Sequence, residues 1–314
     1  MTDSRETLPE RTGFVEEYPF DSHYLPVDGG RLHYVDEGTG EVLLCVHGNP
    51  TWSFAWRNVV RQFRDRYRVI ALDHLGCGFS SKPQNWPYRL ENHVSNLQSL
   101  IEHLGLKQIT LIAHDWGGAI GMGAAGRQPE LFSRLVLMNT AAFRSQAIPW
   151  RIAVCRWPVL GPLGVRGFNL FAKAALAMAV EHPEQLTAPI RKGLLAPYGN
   201  WHDRVAIQRF VEDIPLRPSH PSYQTLAEIE ERLTRLQNHP LLLIWGERDW
   251  CFTPEFRREF QRRFPAAEVL ALDNAGHYVF EDARPQVLAR LQQFLEAHPL
   301  PAQSLTAHPS PGAP

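Results

Sequence analysis

The sequence predicts an α/β fold: a mostly parallel central sheet with helices on both faces and a helical cap inserted between two of its strands. Three observations predict it. Short, nearly continuous apolar runs rich in Val, Ile and Leu alternate with amphipathic helical patterns. That reading fits strands buried on both faces rather than half-exposed ones. A single break of nearly a hundred residues, helical and Pro-rich, interrupts the alternation between residues 143 and 238.

Taken in order, the first elements are Tyr24–Val27 and Arg31–Asp36, joined by Asp28-Gly29-Gly30. They read as an antiparallel hairpin at one sheet edge. Buried strands follow at Val42–His47, Arg68–Asp73, Ile109–His114 and Arg134–Met138, then at Pro240–Trp245 and Glu268–Leu272. Val94, Leu97, Ile101 and Leu104 recur at helical spacing, as do Leu226, Ile229, Leu233 and Leu236, and Val287, Leu291, Phe294 and Leu295. Strand and helix alternating in this way calls for right-handed crossovers. An insertion as long as 143–238 is more than a loop. It is expected to lie over the carboxyl ends of the strands, where open α/β sheets bind ligands. The domains are therefore a core in two parts, 14–142 and 239–298, a helical cap over 143–238 and a Pro-rich, disordered tail over 299–314.

Composition limits the function classes. Against 32 Lys and Arg stand 33 Asp and Glu, for a net charge of −1, with 44% of residues apolar. General disorder is excluded, and the balanced charge argues against nucleic acid as a partner. Cys45, Cys77, Cys155 and Cys251 are scattered without a CxxC pair. No two histidines stand at the spacing of a helical metal pair, so neither a metal nor a cofactor is expected. MTDSRETLPERTGF lacks the apolar stretch of a secretory signal, and no run approaches the roughly 18 apolar residues of a membrane span. A cytoplasmic protein without a membrane span is expected.

The chemistry concentrates in three loops that follow strands. Ala113-His114-Asp115-Trp116-Gly117-Gly118 leads from a strand into a helix and matches the nucleophile elbow G-x-S-x-G, with Asp115 in the serine's place and the small Ala113 and Gly117 two residues to either side. Asp115 could instead be a plain helix cap. Against that, Asp249 follows the 240–245 strand and His277 the 268–272 strand, giving the order nucleophile, acid, base. Asp249 would orient His277 and stabilise its cationic form. The rival acid position, after residues 134–138, holds Asn139-Thr140 and no carboxylate. His47-Gly48-Asn49-Pro50 adds Asn49. The backbone N–H groups of Asn49 and Trp116, with the Asn49 amide and the Trp116 indole, form an anion-binding set. A carboxylate nucleophile is ionised at neutral pH and suits displacement at a saturated carbon or opening of a strained ring, which argues against an ordinary esterase or peptidase.

Three stretches, HGNPTWSFAWR (His47–Arg57), DHLGCGFSSKP (Asp73–Pro83) and the elbow HDWGG, resemble the haloalkane dehalogenases of the α/β-hydrolase superfamily. The cap stretches VRGFNLF (Val165–Phe171), APYGNW (Ala196–Trp201) and RFVEDIPLRPSHPSY (Arg209–Tyr223) resemble more closely the β-lactone decarboxylases of bacterial long-chain olefin biosynthesis. The likeness runs from about Phe14 to His298. It implies an α/β-hydrolase fold and conversion of a cis-3,4-dialkyl β-lactone to a cis-alkene and carbon dioxide. Asp115 would attack, Asn49 and Trp116 would hold negative charge developing on oxygen, and an apolar cap would house the alkyl chains. The implied ligand is a hydrophobic small molecule, and assembly with other olefin-pathway enzymes is plausible for so insoluble a substrate. A haloalkane dehalogenase, with the same site and an alkyl ester on Asp115, is the alternative. An epoxide hydrolase ranks lower, because the cap offers only Tyr198 and Tyr223 as the ring-protonating pair that family uses. A non-catalytic receptor on the same fold ranks below these, because the triad is intact. The apolar helix within 168–180 reads equally as substrate wall and as protein core.

Overall fold

The computed structural model describes residues 11–300, so the tail expected to be disordered lies almost wholly outside the described residues. Among the described residues eight strands form one sheet: β1 (His23–Val27), β2 (Gly30–Glu37), β3 (Val42–Val46), β4 (Arg68–Leu72), β5 (Ile109–Asp115), β6 (Phe132–Thr140), β7 (Leu241–Gly246) and β8 (Glu268–Leu272). Their order is β1-β2-β4-β3-β5-β6-β7-β8. The β1–β2 hairpin is antiparallel and occupies one edge, β2 runs antiparallel to β4, and every later pairing is parallel.

Successive residues of each central strand serve opposite cores. Leu44, Val46, Ile70, Leu72 and Leu111 pack on one face with α2 (Leu90–His103, after α1, Arg57–Phe63) and α3 (Trp116–Arg127). Leu43, Cys45, Val69, Ala71 and Ile112 pack on the other with α1. Covering on both faces is why these strands are apolar throughout. Between β6 and β7 lie α4 (Trp150–Val154), α5 (Leu160–Pro162), α6 (Leu170–Met178), α7 (Ala188–Leu195), α8 (Val205–Glu212) and α9 (Tyr223–Arg232), with no strand among the described residues. Part of this span has a small core of its own in Val165, Ala172, Tyr198 and Ile207. Its later helices also join the main cores: Phe210 of α8 and Leu226 and Ile229 of α9 pack there, and Gly123 of α3 lies so close that a Cβ there would press on Ile229. The chain closes with α10 (Pro254–Arg263), α11 (Val279–Asp282) and α12 (Arg284–Ala297), whose Val287, Leu291, Phe294 and Leu295 stripe is buried. No helix among the described residues is long and apolar enough to cross a membrane.

Two helices near the strand ends, α1 and α11, are tied together by charge. Arg57, at the end of the HGNPTWSFAWR stretch, reaches both carboxylate oxygens of Glu281 in α11, at 2.5 and 2.9 Å, and both side chains are fully buried. The bidentate geometry compensates for desolvation, so losing one partner costs more than losing both. Arg57→Ala is expected to destabilise the fold by about 3–5 kcal/mol. The double replacement Arg57→Met with Glu281→Leu should lose much less, which urea unfolding of the two variants would check.

Candidate active site

The three residues distant in sequence meet at the carboxyl ends of β5, β7 and β8. Asp115 ends β5 with φ of +53°, in the left-handed region, and the next residue opens α3. A non-glycine residue held there is strained, and the surroundings must over-determine it. They do so by close packing: a Cβ on Gly117 would overlap the Val46 carbonyl, and one on Gly48 would overlap the Asp115 carboxylate. Thr140, at the end of β6, donates its hydroxyl to the Asp115 carbonyl and clamps the turn from the other side. These contacts are why the elbow needs small residues where the sequence has them.

The carboxylate of Asp115 is divided between two tasks. Its Oδ1 accepts the Asn49 backbone N–H at 2.7 Å, and the Trp116 backbone N–H also bonds the carboxylate. Its Oδ2 stands 3.6 Å from His277 Nε2. The backbone donors expected to form an open anion hole are thus already engaged, and what they hold is one oxygen of Asp115 itself. In an ester on Oδ2, that oxygen is the carbonyl oxygen, and the same donors would stabilise it as an oxyanion during hydrolysis.

His277 Nδ1 bonds Asp249 Oδ2 at 2.7 Å. Asp249 is fixed on both oxygens: Oδ1 accepts the Cys251 N–H at 2.6 Å and Oδ2 accepts the Asn139 amide at 2.9 Å. Asn139 also exchanges hydrogen bonds with the Gly246 backbone, at 3.1 and 2.9 Å. The residue noted in the sequence only for lacking a carboxylate therefore supports the acid from β6. His114 Nε2 lies 2.9 Å from the His277 carbonyl, and Phe252 stacks on the His277 ring at 5.7 Å. Asp282 accepts the Gly276 N–H at 2.7 Å and the Glu181 and His182 N–H groups at 3.0 Å, pinning the His277 loop to the segment after α6. Asn139, Thr140 and Asp282 carry no motif, and their roles emerge only when strands and loops are brought together.

Electrostatics follow from burial. Desolvation raises the Asp115 pKa despite the opposing pull of His277 and the two N–H donors. Desolvation presses His277 down more than any other single influence. The charge and hydrogen bond of Asp249, with the charge of Asp115, together outweigh it, and the net shift is upward. His114 is held well below the ordinary histidine range, by burial first and the nearby His277 second, so it is neutral at pH 7.

The site opens into a cavity of about 300 Å³, polar at the Asn49–Asp115–Trp116–His277 end and otherwise lined almost wholly by apolar side chains such as Phe143, Ile152, Phe171, Val211 and Phe256. From α6, Leu170, Phe171, Ala174, Ala175 and Met178 face it, while Ala172 and Leu176 pack inward, so that helix is both wall and core. Trp116 lines the cavity, and its indole N–H has no hydrogen-bond partner among the described residues. The Asn49 amide differs, since one of its protons is spent on the Ile207 carbonyl of α8 at 3.2 Å. Tyr198 bonds the Thr51 carbonyl and Tyr223 packs against Arg144, and neither lines the cavity. No cluster of metal-ligating side chains occurs among the described residues.

Replacing Asp115 by Asn removes one of the charges that raise His277, so the His277 pKa should fall. NMR titration of the imidazole in both proteins checks this, and an unchanged midpoint would mean that the 3.6 Å pair is not coupled.

Comparison with known proteins agrees with this geometry. A family profile described as alpha/beta hydrolase fold matches residues 41–284. A cis-3-alkyl-4-alkyloxetan-2-one decarboxylase of Shewanella oneidensis is 40% identical over 283 residues, 88% of this chain and 89% of its own. One of Xanthomonas campestris pv. campestris is 40% identical over 297 residues, 90% and 98%. Haloalkane dehalogenase 2 of Mycobacterium tuberculosis is 32% identical over 279 residues, 87% and 94%. Among solved structures, the haloalkane dehalogenase DatA of Agrobacterium tumefaciens C58 superposes with a TM-score of 0.80 at 26% identity, covering 89% of this chain and 97% of that one. The chain therefore belongs to the α/β-hydrolase family, in the group that takes in the haloalkane dehalogenases and the cis-3-alkyl-4-alkyloxetan-2-one decarboxylases.

Proposed function

We propose that this chain decarboxylates a cis-3,4-dialkyl β-lactone to a cis-alkene, with Asp115 as nucleophile. The observation that carries the proposal is a buried carboxylate with one oxygen held by backbone N–H groups and the other open to an apolar cavity. The two relatives at 40% identity direct the choice of electrophile to an oxetan-2-one ring.

Asp115 Oδ2 attacks the saturated ring carbon that bears the ring oxygen. That C–O bond breaks, and its electron pair leaves on oxygen as a carboxylate beside the Trp116 indole and the Asn49 amide. The adjacent carbon then loses carbon dioxide. The electron pair of the broken C–C bond becomes the double bond, and Asp115 departs with its own C–O pair. Inversion at the attacked carbon followed by anti elimination is net syn, so a cis ring yields a cis-alkene. No water is consumed and no proton moves, which leaves His277 an electrostatic and positioning role behind Asp115.

A haloalkane dehalogenase is the second reading, favoured by the free Trp116 indole and by a histidine placed to activate water against an alkyl ester. An epoxide hydrolase would need cap tyrosines at the ring, and Tyr198 and Tyr223 stand away from the cavity. A cytoplasmic location in an olefin-forming pathway accords with four unpaired cysteines and an oily ligand. The poor solubility of such a lactone favours transfer from a neighbouring pathway enzyme.

Side-by-side assays with a dialkyl β-lactone and 1-bromobutane should yield alkene from the first, and fast bromide release with an untouched lactone would overturn the assignment. Asp115→Ala should lose turnover by about 10⁴-fold or more while keeping its melting temperature. His277→Ala should trap an alkyl ester from the haloalkane, visible by mass spectrometry, yet retain much of its lactone turnover. The pH profiles should differ as well. Lactone turnover needs only ionised Asp115, and is lost as pH falls through that raised pKa. Ester hydrolysis also needs neutral His277, so it is lost at higher pH, as pH falls through the raised histidine pKa.

A further inference from the structure

The exposed large apolar side chains are not scattered. Among the described residues, and apart from Val15, all of them lie between residues 150 and 201, and most sit in one arm of the cap: Trp150, Trp157, Val159, Leu160, Leu163 and Phe168. Trp150 is 71% exposed and Phe168 67%. Concentrated exposure of this kind marks an interaction surface. Leu170 and Met178 are exposed and also line the cavity, so the outer apolar face runs into its mouth.

Charge in the same arm is one-sided. Residues 143–180 hold Arg144, Arg151, Arg156, Arg166 and Lys173 and no Asp or Glu, in a chain whose net charge is −1. Arg144 is paired with Glu230. The other four meet no carboxylate among the described residues. Arg151 lies over the Trp150 and Trp250 rings and Arg156 holds the Ile214 carbonyl. Arg166 holds Gln84 and covers the Trp201 ring, and Lys173 reaches the Phe168 carbonyl. The charges of Asp213 and, less, Glu212 reach Arg156, and that of Glu212 reaches Arg166, but Asp213 is held by Arg89 at 2.8 Å and Glu212 by Arg209 at 2.8 Å.

We propose that this arm of the cap docks on the surface of an anionic phospholipid bilayer, with the cavity mouth facing the acyl region. Exposed tryptophans beside aliphatic side chains, flanked by unmatched cations, are the chemistry of an interfacial segment. The cations meet lipid phosphate and carboxylate groups while the apolar side chains enter the headgroup boundary. A cavity of about 300 Å³ is at the small end for ligand pockets. Alkyl chains too long for it would extend from the mouth across this face into lipid. That passage rests on the β-lactone reading, whereas docking rests on the surface alone.

The test is flotation of the full chain with vesicles, in the absence of any substrate, so its result is independent of which reaction the site performs. Binding is expected with phosphatidylserine–phosphatidylcholine vesicles, much less with pure phosphatidylcholine, and should weaken with added salt. Lys173→Gln should weaken it about fivefold. Trp157→Ser with Phe168→Ser should abolish it while leaving the melting temperature and the turnover of a short-chain substrate unchanged. Absence of flotation at low salt would overturn the proposal, as would flotation that neither variant alters. Self-association in gel filtration that the double variant breaks, without flotation, would assign the face to a second copy and also overturn it.

Discussion

The constraint on which the site depends is the cost of burying a carboxylate. An isolated ionised group taken out of water would protonate rather than stay charged. Asp115 is held by the backbone N–H groups of Asn49 and Trp116, with the imidazole of His277 standing 3.6 Å from its other oxygen. Each of these groups comes from a different segment, and each segment must be held in turn. Arg57 and Glu281 tie the Asn49 loop to α11, Asp282 fixes the turn before His277, and Asn139 holds Asp249. The polar scaffold at the strand ends is a set of compensations for one buried negative charge.

On the proposed reading the same arrangement could serve two chemistries. Holding Oδ1 and leaving Oδ2 open would prepare Asp115 to displace a leaving group at carbon. The electrophile then sets the fate of the ester: an alkyl ester with no carboxylate beside it must wait for water and His277, while one with a neighbouring carboxylate can expel carbon dioxide unaided. On that reading one polar end could serve either reaction, and the apolar end would decide which substrate enters.

Much of the fold was legible because burial on both faces writes itself into a sequence. Six core strands fall within two residues of where their apolar runs place them, and the amphipathic stripes at 94–104, 226–236 and 287–295 all form helical segments with their apolar sides buried or packed on the core. The stripe at 226–236 marked a helix without saying what it packs on, and its apolar face meets α3 although it lies inside the inserted span. Periodicity identifies a buried face and carries no information about its partner.

For the site, the sequence by itself determined the residue types and their order. Asp115, Asp249 and His277 each stand at or after the end of a strand, and small residues flank the elbow, because the proposed chemistry would tolerate few alternatives at those points. Only the tertiary structure decided how the groups are used. The Asn49 and Trp116 N–H groups turn toward Asp115 itself, the Asn49 amide is partly spent on the cap, and Asn139, Thr140 and Asp282 become supports. These are contacts between loops far apart in the chain, set by register and packing, and no local pattern encodes them. The apolar arm of the cap lies between the two cases: its composition could be read directly, but only the fold placed those side chains outside the core and beside the mouth of the cavity.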